Sequence, residues 1–303
     1  MRGWFLLAAW LVVVLLASAL PGDDGVADLR SAVNTRPPPY HPRSQPANAP
    51  PPKKRTEPKQ AWQQDPSQPT PQDDDFSVGN GELVGTALLA GLVAASPVWI
   101  PASLVNDGEA QTGWFTRFPY EHHDFYMTFA QPPEGDTSPW TPHGYSLRLE
   151  SDFGTNFGSQ QLLGGHLLYE HVNRFGLESR FDLLEDSFAQ HDSVWFGDVN
   201  GTYRFAQSEH WLFRGGLGLN WFADHGSTDV GLNGTYQIDW FPTDPLVFST
   251  DIDVGTLGHA WLFHFQQTAG ITWHGLEGRI GYDYLDVGHA QFSMLICGVR
   301  CWF

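Results

Sequence analysis

The sequence predicts an all-β protein whose C-terminal half closes into one antiparallel up-and-down barrel of about ten strands, with eight the alternative. Three observations carry this. From residue 144 onward, apolar and polar side chains alternate with period two. Within each alternating run the charged residues keep to one face. Composition also breaks at residue 143, beyond which there is no Lys, the only Pro are Pro242 and Pro245, and Gly is frequent.

The runs follow in order. Tyr145, Leu147, Leu149 and Phe153 oppose Arg148, Glu150 and Asp152; a less regular run over residues 163–170 supplies one weak strand. Phe175, Leu177, Phe181 and Leu183 oppose Glu178, Arg180 and Asp182, and Trp195, Val199 and Tyr203 oppose Asp198 and Arg204. Trp211, Phe213, Leu217 and Trp221 oppose Arg214 and Asn220; Val230, Leu232, Tyr236 and Trp240 oppose Asn233 and Asp239. Phe248, Ile252 and Val254 oppose Ser249, Asp251 and Asp253; Trp261, Phe263, Phe265 and Trp273 oppose His264, Gln266 and His274. Leu276, Ile280, Tyr282 and Tyr284 oppose Glu277, Arg279 and Asp283, and Leu295, Val299 and Phe303 oppose Arg300. An even count fits a single chain whose two barrel ends lie on the same side.

Residues before 144 divide by composition. Arg2, the apolar residues 4–16 and Ala17-Ser18-Ala19 form an export signal over residues 1–19, with an uncleaved anchor the alternative. Residues 20–75 read as a disordered linker: residues 21–75 hold 13 of the 22 Pro and all three Lys, and such a segment buries too little to offset its ordering entropy. Residues 76–143 are apolar and aromatic and are expected to pack on or near the barrel. Within them, residues 83–100 carry no charge; a short helix packed on the domain that follows is the first reading, because Gly85, Gly91, Ser96 and Pro97 interrupt the stretch, with an interfacial hairpin and a membrane span the alternatives.

Alternation alone suits a soluble sandwich as well, so the two faces have to be matched to their media. The polar face is dense in opposite charges. On the apolar face, Trp211 and Trp221 stand ten residues apart, roughly 25 Å of height on a tilted strand, and Trp261 and Trp273 bracket their strand similarly. Trp195, Trp211, Trp221, Trp240, Trp261 and Trp273 are therefore read as lipid-facing girdles around an apolar band. Cys297 and Cys301 share that face, and four residues of strand hold their Cα atoms about 13 Å apart, beyond disulfide reach.

A cleavable signal, a terminal amphipathic strand and the closing Val299-Arg300-Cys301-Trp302-Phe303 resemble the small bacterial outer-membrane β-barrel proteins, over about residues 144–303. The resemblance implies an outer-membrane location, outer-membrane lipids as surroundings, and recognition of Phe303 on the last strand by the barrel-assembly machinery. The long Pro-rich leader and short loops depart from the commonest members, and no activity carries over.

The inward set comprises Arg148, Glu150, Glu178, Arg180, Asp182, Asp198, Arg204, Arg214, Asp239, Asp251, Asp253, Glu277, Arg279, Asp283 and Arg300. In a lumen of eight to ten strands these would pair across strands and fill it. The first functional reading is a non-enzymatic barrel whose leader hangs in the periplasm and tethers it to the cell wall or another periplasmic partner. A narrow, cation-preferring channel is the alternative, because residues 144–303 hold 19 acidic against seven basic groups. A rim hydrolase built on Ser249, Asp251, Asp253, His264 and His274, and a secreted soluble sandwich, stand behind these. Glu121, His122, His123 and Asp124 read as a solvated turn rather than a metal site. No phosphate-binding loop is present and no cofactor is called for. The net charge of −18 excludes a nucleic-acid partner.

Overall fold

The structure is a computed structural model that describes residues 25–34, 97–98, 101, 103, 105, 112–120, 125–132, 134, 141–186, 192–224 and 226–303. The signal over residues 1–19, most of the Pro-rich segment and residues 121–124 lie outside the described residues. All described residues belong to one compact unit.

A short helix, α1 (Val26–Asn34), comes first, followed by a two-stranded ribbon of β1 (Trp114–Phe115) and β2 (Met127–Thr128). Ten long strands make the barrel: β3 (Tyr145–Thr155), β4 (Gln160–His171), β5 (Phe175–Asp186), β6 (Asp192–Gln207), β7 (Trp211–Ala223), β8 (Thr228–Thr243), β9 (Leu246–Leu257), β10 (Ala260–Trp273), β11 (Leu276–Val287) and β12 (Ala290–Trp302). Each pairs antiparallel with its neighbours in sequence, and β12 pairs with β3 to close the wall. Ten strands are present, not eight, and the weak run is the full strand β4.

The closing seam is the shorter ladder: residues 295–302 pair with residues 148–155, whereas β11 and β12 pair along nearly their whole length. Hairpins are tight at both ends. His274 and Gly275 both take positive φ, 48° and 83°, the geometry of a two-residue primed turn whose twist matches the strands it joins. This overturns the inward placement of His274, which is exposed in the turn.

The helix corrects the disordered-linker reading at residues 26–34. Val26, Leu29, Ala32 and Val33 fall on one face of a helical period and are buried, and that burial offsets the ordering entropy of these nine residues. The helix sits at the mouth formed by the β3–β4, β5–β6, β7–β8, β9–β10 and β11–β12 hairpins, where His259 N donates to Val33 O at 3.2 Å. The ribbon sits at the other mouth, where the chain enters β3 and ends: Phe115 pairs backbone to backbone with His143, and Leu147 with Phe303.

Candidate functional site

The interior of the barrel is the site, and the alternation of each strand positions it. Every second residue of a strand points inward, and in the middle of the wall those residues are charged. All fifteen inward residues read from the sequence are buried. His166 and Glu170, on the strand with the weakest pattern, are buried among them and were missed.

Two networks fill the middle. Toward the β1–β2 end, Arg148 Nε lies 2.7 Å from Glu150 Oε1, and Arg148 and Arg214 both donate to Asp239, at 2.8 and 2.5 Å. Arg214 and Arg204 converge on Glu170 at 2.7 and 3.0 Å. Arg300 donates to Glu150 at 2.8 Å and to Glu277 at 3.1 Å. Arg279 pairs with both Glu150 and Asp152. Here cations and carboxylates are near balance, so each buried charge meets an opposite one.

Nearer the helix the balance shifts. Arg180 Nη1 lies 2.7 Å from His264 Nδ1 and donates to Asp253 at 3.4 Å, while His264 Nε2 lies 2.9 Å from Asp283. Asp182 and Asp198 border the same cluster, around a cavity of about 10 Å³, room for one water. Arg180 and His264 thus face Asp182, Asp198, Asp251, Asp253 and Asp283.

Apolar layers seal both ends. At the helix end Leu29 and Val33 meet inward-facing Leu162, Phe196, Phe222 and Phe292. Arg30 caps this contact, donating to Asp192 at 2.8 and 2.9 Å and to Asp224 at 2.9 Å; these bonds, Asp192 first, hold its guanidinium charge above the ordinary range. At the ribbon end Phe115, Tyr126, Phe241 and Trp302 form an aromatic cluster, with Tyr126 and Trp302 edge to face at 4.7 Å. Arg204 lies 4.6 Å over the Phe115 ring, and Arg148 and Arg300 lie over Trp302 at 5.6 and 5.4 Å, which joins the charged layer to the aromatic one.

The hydrolase reading loses its geometry. Ser249 Oγ donates to Asp239 at 2.6 Å and accepts from Arg300 at 2.9 Å, while His264 is engaged with Arg180, Asp253 and Asp283, and His274 is outside. No histidine activates the serine among the described residues.

On the outside, Trp195, Trp261, Trp273 and Phe303 are exposed, and Trp211 and Trp221 are partly covered. Trp240 is buried, stacked on Trp211 at 5.1 Å and on Phe248 at 5.2 Å. Cys297 and Cys301 are free thiols, on the outward side of β12.

No family model and no curated protein matches this sequence. Among solved structures, the barrel resembles the N-terminal β-barrel domain of Pseudomonas aeruginosa OprF, at 14% identity over 52% of this chain and 97% of that one, with a TM-score of 0.28. Neisserial surface protein A gives 14% identity over 53% and 97%, with a TM-score of 0.27. Ail, the attachment invasion locus protein of Yersinia pestis, gives 13% over 52% and 96%, with a TM-score of 0.25.

Proposed function

We propose that this chain is a bacterial outer-membrane barrel with a closed interior, non-enzymatic, whose Pro-rich segment tethers it to an envelope component. The observation that carries the reading is inversion: in the middle of the ten strands the charges are inside, with every arginine there set against carboxylates, while the outward residues Leu177, Phe181, Leu217, Leu232 and Ile280 are apolar and exposed. A barrel in water would gain nothing from burying so many ions, because desolvation offsets their attraction; one in hydrocarbon has no other place for them. Outer-membrane lipids meet that face, and the assembly machinery meets β12 with its terminal Phe303.

Closure supports a structural role over transport. A solute would have to pass an apolar cap, two charged networks and an aromatic plug. The runner-up, a narrow cation-preferring channel, draws on the aspartate excess around Arg180. Two measurements test the pair. Protein from the outer-membrane fraction should migrate differently on a denaturing gel when boiled and unboiled, and planar-bilayer recordings should show no conductance above background. Absence of a heat shift together with recovery in the soluble periplasm would overturn the outer-membrane reading; a steady cation-selective conductance would replace the structural role with the channel.

A further inference from the structure

We infer that the lumen holds one alkali-metal cation, of the size of sodium, in the small cavity bounded by Asp182, Asp198 and Asn220 beneath the helix-side cap. The site rests on the closed-interior reading above and goes beyond it, since a lumen that passes no current would still need an ion to be complete.

The charges of the lumen do not divide evenly. Among the described residues, five arginines and His166 of the ribbon-side network stand against six carboxylates, those of Glu150, Asp152, Glu170, Glu178, Asp239 and Glu277. With the imidazole charged, that layer is neutral. On the helix side, Arg180 and His264 stand against five aspartates, and with this imidazole charged as well, three negative charges remain. Hydrocarbon surrounds the wall and apolar side chains close both ends, so bulk ions do not screen these charges, and an uncompensated buried charge is strongly unfavourable.

The deficit has an address. Asp253 lies 3.4 Å from Arg180 and 3.3 Å from His264, Asp283 lies 2.9 Å from His264, and Asp251 lies 3.7 Å from Arg180. Asp182 and Asp198, only 6% and 5% exposed, have no ion-pair partner among the described residues. Asp198 accepts one hydrogen bond, from Asn200 Nδ2 at 2.8 Å, and Asp182 accepts none among the described residues.

Both carboxylates line the cavity of about 10 Å³, and Asn220 lines it with them. Asn220 Nδ2 donates to Leu232 O at 3.2 Å and to Thr256 O at 3.1 Å. Because both of these are carbonyls, the amide cannot be turned round. Its Oδ1, on a side chain 3% exposed, is left without a donor among the described residues. Arg180 and His264 border the cavity too, but are held by Asp253 and Asp283. Phe196, Leu257 and Leu262 complete the lining toward the cap.

The donors define the occupant. Carboxylate and carbonyl oxygens select a hard cation. No three His, Cys, Asp or Glu side chains converge on a metal position among the described residues, which disfavours zinc and calcium, whose sites need more strong ligands. The volume is that of one water and suits a single bare ion. A neutral water would leave the charge untouched. A proton shared between two carboxylates would draw their oxygens to hydrogen-bond distance and close the gap, whereas a metal ion holds its ligands apart around itself.

The whole chain, refolded into detergent micelles at one ionic strength in sodium chloride or in N-methylglucamine chloride, tests this; refolding is used because the caps oppose exchange once the wall is shut. The urea midpoint, read by tryptophan fluorescence, should be higher in sodium, with the folding equilibrium gaining about 100-fold at sodium about 100 times its dissociation constant. Asp182→Asn should lose this dependence and, in N-methylglucamine, exceed the parent chain in stability, because it removes an unpaired charge at nearly constant volume; Asp198→Asn serves if the first variant fails to fold. A role in packing alone would give neither result. Equal midpoints in the two salts, or a midpoint that follows pH and not sodium, overturn the cation site, and background conductance of the same preparation would then leave the closed interior standing. A steady sodium conductance overturns the closed interior and the site with it.

Discussion

The two mouths of the barrel are closed by different means. At the ribbon end the plug is made by residues that lead directly into β3, and its rings interlock with Phe241 and Trp302 of the wall itself. At the hairpin end the plug is a nine-residue helix more than a hundred residues upstream of the barrel, held by four buried side chains and one arginine. The first belongs to the cooperative unit of the barrel. The second is a docked element, and a docked element can leave while the wall stays intact.

Substitutions should separate the two. Tyr126→Ala empties a fully buried site under Trp302, and a cost of about 3–5 kcal/mol is expected for losing a large core aromatic; a lowered urea midpoint for the whole barrel, read by tryptophan fluorescence, would show it. Leu29→Ala should cost about 2–5 kcal/mol by the same rule, but as loss of helix docking: a cysteine at Asn34, in a background lacking Cys297 and Cys301, should label faster while the barrel midpoint stays put. A common fall in both readouts would mean that the mouths are equivalent. Arg30→Ala removes a partly exposed pair, and a change of about 1 kcal/mol or less in the same labelling assay is expected.

A sharper comparison uses function. Deleting α1 opens one mouth only, and the paired charges beneath it remain, so bilayer recordings of that variant should still show background conductance. Register has its own test. Leu232→Arg should cost about 2–4 kcal/mol as an arginine facing mid-membrane lipid. Asn233→Arg should be comparably damaging, because Asn233 is buried and bonded to Asn200 at 3.1 Å, and the filled lumen leaves little room for a longer side chain.

Much of the wall was legible in the sequence because a barrel strand has two media and only two faces. The legible part fades where that rule relaxes. In β4, Leu162 and Leu168 point inward, Leu162 against the apolar cap and Leu168 between His166 and Glu170, so both faces read as apolar and Glu170 and His166 were passed over. The helix was hidden by its neighbours: its Val26, Leu29 and Val33 spacing is helical, but the proline content of the segment was averaged over it.

The seam between the first and last strands has a temporal meaning. Arg300 stands opposite Glu150 in that short ladder and bonds to it at 2.8 Å, and Arg279, one strand earlier, reaches the same glutamate. Until the final strands arrive, the carboxylates of β3 await two of their cations in an open sheet. Shutting the wall and neutralising its interior are therefore one event, and a barrel lacking β12 would have both an unpaired edge and an uncompensated acid at its heart.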